Sequence, residues 1–166
     1  NAEDALAYTY RTVTTQSRPA SAGGSLSFSF SRNHPSTADT LILASVVPNS
    51  TITVTATYAG IAATLQKKTS ITGISTYLFA IENPPTGANT VVFTFSANVA
   101  ATVGSALSYS VGSYPSSAQS SGPSGNPQQC VTSATGPGPV GTPNPLTIQV
   151  FGARGATNVP MTGSPG

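Results

Sequence analysis

The chain has 166 residues, enough for one domain with a core of its own. Only 6% of residues are charged and the formal net charge is +2, where a soluble domain ordinarily has about 25% charged residues. Four acids, one histidine and one cysteine leave little material for acid–base catalysis or a metal site, and the basic residues stand singly apart from Lys67-Lys68, so no patch suits a nucleic-acid backbone.

The composition reads as all-β. Thr, Val, Ile, Tyr and Phe are frequent and suit pleated, half-buried strands. Lys and Glu, which usually cover the exposed faces of helices, are nearly absent. No run of about 18 apolar residues predicts a membrane span, and no signal peptide is visible. The first residue is Asn1 rather than Met. That is expected of a form cut from a precursor, or of a tag remnant at Asn1-Ala2.

In chain order, Tyr8 to Thr14 alternates weakly. Leu26-Ser27-Phe28-Ser29-Phe30 alternates strictly, which predicts a strand with one buried and one Ser-lined face. Leu41 to Val47 is almost continuously apolar, as in a central strand covered on both sides. Ile52 to Tyr58 alternates again after the Pro48-Asn49-Ser50 turn. Thr76 to Ile81, Thr90 to Phe95 and Ala101 to Val111 follow, with prolines 84 and 85 ending the first of these. Gln129 to Thr132 reads as a short strand and Leu146 to Phe151 as the last strong one. The expectation is an antiparallel β-sandwich of eight to ten strands, jelly-roll or immunoglobulin-like. It forms a single domain over 1–166 with extended terminal segments at 1–13 and 152–166. The stretch 112–145 is dense in Gly, Pro and Ser and is expected to be a long loop region.

Three pieces carry a resemblance. They are Ala56-Thr57-Tyr58-Ala59-Gly60 followed by Thr64-Leu65, then Tyr77 through Asn83-Pro84-Pro85-Thr86-Gly87 into Thr90 to Ser96, and then Ala106-Leu107-Ser108-Tyr109-Ser110-Val111. In this order they resemble a family of β-sandwich modules of secreted bacterial proteins and of phage tail or virion surface proteins. That family's pattern is a TYGG…LT hairpin, an NPPTG turn, a TVTVT strand and an SYSGV strand. The resemblance covers Leu26 to Val111. It implies a sandwich fold and a structural or adhesive role, with no catalytic residues to carry over. Ala59 departs from it at the first Gly of the hairpin, and Gly112 follows Val111 where a longer loop usually starts.

The candidate chemistry is thin. His34, in Arg32-Asn33-His34-Pro35, is expected to be a solvent-facing turn residue, with Asp39 its one candidate partner. No G-x-S-x-G elbow accompanies the serines. Asp39 and Glu82 are the candidate carboxylate pair for glycoside hydrolysis, with Glu3-Asp4 near a terminus. Asp39 and Glu82 are also the carboxylates that a calcium site would need, although no motif points to one. Cys130 has no partner for an internal disulfide and reads as a buried thiol. No cofactor is expected. Tyr58, Tyr77 and Tyr114 are candidate aromatics for a glycan ligand, and Asn49 in Asn49-Ser50-Thr51 is a candidate glycan attachment site.

The hydroxyl-rich, charge-poor strands suit packing against copies of the same chain, and edge strands with few charges are poorly guarded against pairing. The sequence therefore reads as a non-enzymatic structural subunit at an extracellular or virion surface. Its expected partners are copies of itself or other structural proteins of the same assembly. The expected interchain contacts are Ala2, Leu6, Tyr8, Tyr10 and Val13 near one end of the chain and Leu146, Phe151, Val159 and Met161 near the other. The alternative is a carbohydrate- or receptor-binding adhesion module.

Overall fold

A computed structural model describes residues 9–35, 39–110, 117–121, 129–135, 146–153 and 161–165. The first nine strands are β1 (Thr9–Arg18), β2 (Ser25–His34), β3 (Asp39–Val47), β4 (Val54–Tyr58), β5 (Ile61–Ala62), β6 (Thr64–Ile71), β7 (Ile74–Glu82), β8 (Gly87–Val99) and β9 (Thr102–Ser110). One sheet has the order β1-β9-β3-β7-β6 and the facing sheet the order β2-β8-β4-β5, with every pairing antiparallel. Leaving out the added edge strand β6, this is the strand order of a jelly roll. Apart from the β4–β5 and β6–β7 hairpins, successive strands cross between the sheets, so each sheet is built mostly from segments distant in sequence.

The alternation in the sequence explains the layers. Along β3, Leu41, Leu43 and Val47 point into the sandwich with Tyr77, Phe79 and Ile81 of β7 and Phe93 and Phe95 of β8. Ile42 and Ala44 point the other way with Leu78, Ala80, Leu107 and Tyr109, and form a second apolar cluster. Both β3 and β7 are therefore buried on both faces, as the unbroken apolar run at Leu41 to Val47 requires.

The cover on the second face is a third sheet: the sequence predicts two of its strands, at Gln129 to Thr132 and Leu146 to Phe151, and reads the rest as loop and extended tail. Strands β10 (Ser117–Ser121), β11 (Gln129–Thr135), β12 (Leu146–Ala153) and β13 (Met161–Pro165) pair in that order. Of these, β10, β11 and β12 lie over β6, β7 and β3. The stretch 112–145 thus carries two strands and 152–166 carries one, and together with β12 they close what would otherwise be an exposed apolar sheet. At the other end, β1 takes residues 9–13 of the expected N-terminal extension into the first sheet, paired with β9.

Two positions depend on backbone detail. The β4–β5 hairpin turns through Ala59 at φ 52° and Gly60 at φ 77°. Both central residues of such a turn must be left-handed, which costs an L-residue with a Cβ about 1–2 kcal/mol. Ala59→Gly is therefore expected to raise stability by about 1 kcal/mol in urea denaturation. A neutral or destabilising result would show that the strain is relieved elsewhere. Gly104 of β9 lies under three aromatic rings. A Cβ there would stand 2.8 Å from Phe93 and 3.0 Å from both Phe28 and Phe30. Gly104→Ala is expected to cost about 1–3 kcal/mol by overpacking, read as a lower denaturation midpoint at an unchanged m-value.

Candidate functional site

The densest polar cluster of the described residues sits where β2 meets the β1–β9 pair and the start of β3. Strand β2 alternates Phe28, Phe30, Arg32, His34 on its inward face, so the apolar stripe of the sandwich ends in two basic side chains. Both are closed from solvent, Arg32 at 2% exposure and His34 at 1%. The Arg32 guanidinium donates from Nη1 to the Ala106 carbonyl at 2.8 Å and to Thr14 Oγ1 at 3.2 Å. From Nη2 it donates to Ser108 Oγ at 2.7 Å. One side chain of the second sheet therefore holds two strands of the first. A planar fork of fixed donors suits this cross-link better than the single ammonium of a lysine.

His34 continues the cluster. Its Nε2 lies 3.7 Å from Asp39 Oδ2, and both side chains have no exposed surface. The ring of Tyr58 meets it edge-on at 6.3 Å between centroids. The Tyr58 hydroxyl donates to the Gly87 carbonyl at 3.2 Å, which ties the end of β4 to the start of β8. Thus Arg32, His34, Asp39 and Tyr58 join β1, β2, β3, β4, β8 and β9 at one end of the sandwich. The cluster binds sheets together and has no face open to a substrate.

This geometry corrects several expectations. His34 is a buried strand residue and not a solvent-facing turn residue, because the inward parity of Phe28 and Phe30 carries on to it. Asp39 is the partner that the sequence offered it. Asp39 and Glu82 do not face each other across a cleft. Asp39 shares the inward side of β3 with Leu41, whereas Glu82 pairs with Thr40 and shares the side of β7 that carries Leu78 and Ala80. The two carboxylates lie on opposite faces of one sheet, and the paired-carboxylate arrangement of glycoside hydrolysis is absent there. Among the described residues, no three His, Cys, Asp or Glu side chains gather as metal ligands.

The candidate ligand aromatics fare likewise. Tyr58 is 0% exposed and Tyr77 is 1% exposed, because both occupy inward positions on their strands. The Tyr77 ring stacks on Phe79 at 6.0 Å, its hydroxyl donates to the Ile52 carbonyl, and Lys68 Nζ caps it at 5.2 Å. Neither ring is available to stack on a sugar. Tyr114 lies outside the described residues.

Asn49 is exposed in its turn, where its Oδ1 accepts from the Thr51 amide at 2.8 Å and the Thr51 hydroxyl at 2.9 Å. Of the expected interchain contacts, Val13 is 42% exposed on β1, and Tyr10, also on β1, pairs with Tyr109 of β9. Leu146 and Phe151 belong to β12, where Leu146 pairs with Pro165 of β13 and Phe151 with Val131 of β11. Met161 is on β13, an edge strand. Ala2, Leu6, Tyr8 and Val159 lie outside the described residues.

Arg32 escaped the sequence reading, which took the cations as scattered singles. The signal was present in the strand parity that places Arg32 two residues after Phe30.

Compared with known protein families, curated proteins and solved structures, the chain matches none. Among the described residues, no helix is long and apolar enough to cross a membrane.

Proposed function

We propose that this chain is a non-enzymatic structural subunit of an outer-surface assembly, a virion shell, tail or decoration or an extracellular fibre, built through backbone pairing and shape. The observation that carries this reading is the outer face of the β2-β8-β4-β5 sheet. Its rows run Ser27–Thr94–Thr55, Ser29–Val92–Thr57 and Ser31–Thr90 across the strands, and none of its positions holds a charged side chain. Of the cluster described above, Arg32, His34 and Asp39 are turned inward instead. A face without charge is laid against a copy of itself with little desolvation cost, and it lacks the repulsion that keeps a monomer apart. The jelly-roll order and the sequence resemblance point the same way by analogy, since capsid proteins use this fold; lectins use it too.

The adhesion reading has lost two of its aromatic candidates to the core. Negative-stain imaging of the chain at micromolar concentration separates the two. The structural reading predicts repeating particles such as filaments, rings or shells. A field of single 16.6 kDa domains that retain a glycan on an array would overturn it.

A further inference from the structure

The Asn49-Ser50-Thr51 sequon is used neither by the buried cluster nor by the uncharged face. The chain has nine asparagines, and Asn49 alone is followed two residues later by Ser or Thr across a residue other than proline. Its neighbours set its place in the fold. Strand β3 ends at Val47, and Pro48 has no amide to continue a ladder. Past the sequon the chain is held again. Ile52 is buried and its carbonyl accepts from the Tyr77 hydroxyl, and the Thr53 amide donates to Ser96 Oγ at 2.9 Å. The sequon is thus a short turn fixed at both ends, with Asn49 and Thr51 exposed.

Within that turn the side chain of Asn49 is oriented. Its Oδ1 accepts from both the amide and the hydroxyl of Thr51. A side-chain amide is planar and carries its two donor hydrogens on nitrogen. With Oδ1 held to Thr51, Nδ2 is on the side away from that residue, and it donates to no described residue. The turn follows the Val47 end of β3, whereas the His34–Asp39 pair sits at the strand's other end. The exposed nitrogen therefore stands at the opposite pole of the sandwich from the buried cluster.

We propose that Asn49 carries an N-linked glycan. In the transfer, Nδ2 forms a bond to the anomeric carbon of a sugar. The bond from that carbon to the diphosphate of a lipid-linked donor breaks, and the diphosphate leaves with the electron pair. One Nδ2 proton passes to a base of the transferase. The co-reactants are a lipid diphosphate-linked oligosaccharide and a transferase that reads the Thr51 hydroxyl. The inference rests on the outer-surface part of the reading above, because a sequon serves as an acceptor in a surface loop of an exported chain. It adds to that reading a hydrated pole. With 6% of its residues charged, the chain has little else to keep water on its surface, and a glycan is bulky and solubilising. A pole that bears one faces solvent, so contacts between copies fall to the faces and to the end that holds Asp39.

Intact-protein mass spectrometry of the whole chain, purified from the cells that make it, tests this. The mass is expected to exceed the 16.6 kDa of the polypeptide by at least one sugar. An amidase that cleaves the glycan from asparagine nitrogen is expected to remove the excess and leave a carboxylate at position 49. Asn49→Gln and Thr51→Ala are each expected to abolish the excess, whereas Thr51→Ser, which keeps a hydroxyl, retains it. Both positions are exposed, and the melting temperature checks that the fold of each variant is intact. A chain of unmodified mass overturns the inference, and so does an excess that survives Asn49→Gln. Light scattering on the same material reads assembly separately. An unmodified chain that assembles leaves the structural reading standing, and a glycosylated chain that stays monomeric overturns that reading while supporting the site.

Discussion

Replacing Arg32 with leucine is expected to lower the stability of the fold by about 3–5 kcal/mol, the cost of removing one partner from a buried charged cluster. The guanidinium is 2% exposed and donates to Ala106 O, Thr14 Oγ1 and Ser108 Oγ. Each hydrogen bond from a charged donor contributes about 1.5–3 kcal/mol, and each buried acceptor left unsatisfied costs about 1–3 kcal/mol. Leucine fills part of the space and offsets part of the loss. It cannot satisfy the Ala106 carbonyl. Arg32→Lys keeps the charge but gives up the fork, so it is expected to fall between the two. Urea denaturation measures both. A leucine variant as stable as the parent would show that the sheets are held without this tie.

Phe93→Ala is expected to cost about 3–5 kcal/mol, as truncation of a large core aromatic does. Phe93 is fully buried, with Phe79 at 6.4 Å and Phe30 at 6.3 Å between ring centroids. Its edge covers Gly104, so truncation opens space against a backbone that cannot close in. The two positions share that space. Gly104→Ala is therefore expected to cost less in the Phe93→Leu background than in the parent, a coupling that a double-mutant cycle reads directly. Additive effects, or a loss below about 1 kcal/mol for Phe93→Ala, would place the packing centre elsewhere.

The sandwich itself was legible in the sequence wherever a side chain reports its face. The alternation of Leu26 to Phe30 and of Ile52 to Tyr58, and the unbroken run at Leu41 to Val47, correspond to β2, β4 and β3. What escaped lacks that signal. β10 is Ser-Ala-Gln-Ser-Ser and β13 is Met-Thr-Gly-Ser-Pro. Neither carries an apolar alternation, and each is a strand because a neighbour supplies backbone partners. β6 reads as polar for a related reason. It is an edge strand whose lysines guard it, and the same choice hides its period. The buried cluster was half legible. Its residue types argued for surface positions by their usual habit, and only the parity of β2 argued for the interior. The tyrosines failed in the opposite direction. Their rings suggested a glycan-stacking face, yet Tyr58 and Tyr77 find backbone carbonyls inside the fold, which allows a polar tip to be buried.

The particle mass of the full chain, measured by multi-angle light scattering across the micromolar range, tests the central claim most directly. A self-assembling subunit is expected to give a mass that rises with concentration well above 16.6 kDa. A mass that stays at 16.6 kDa throughout the range would contradict the account.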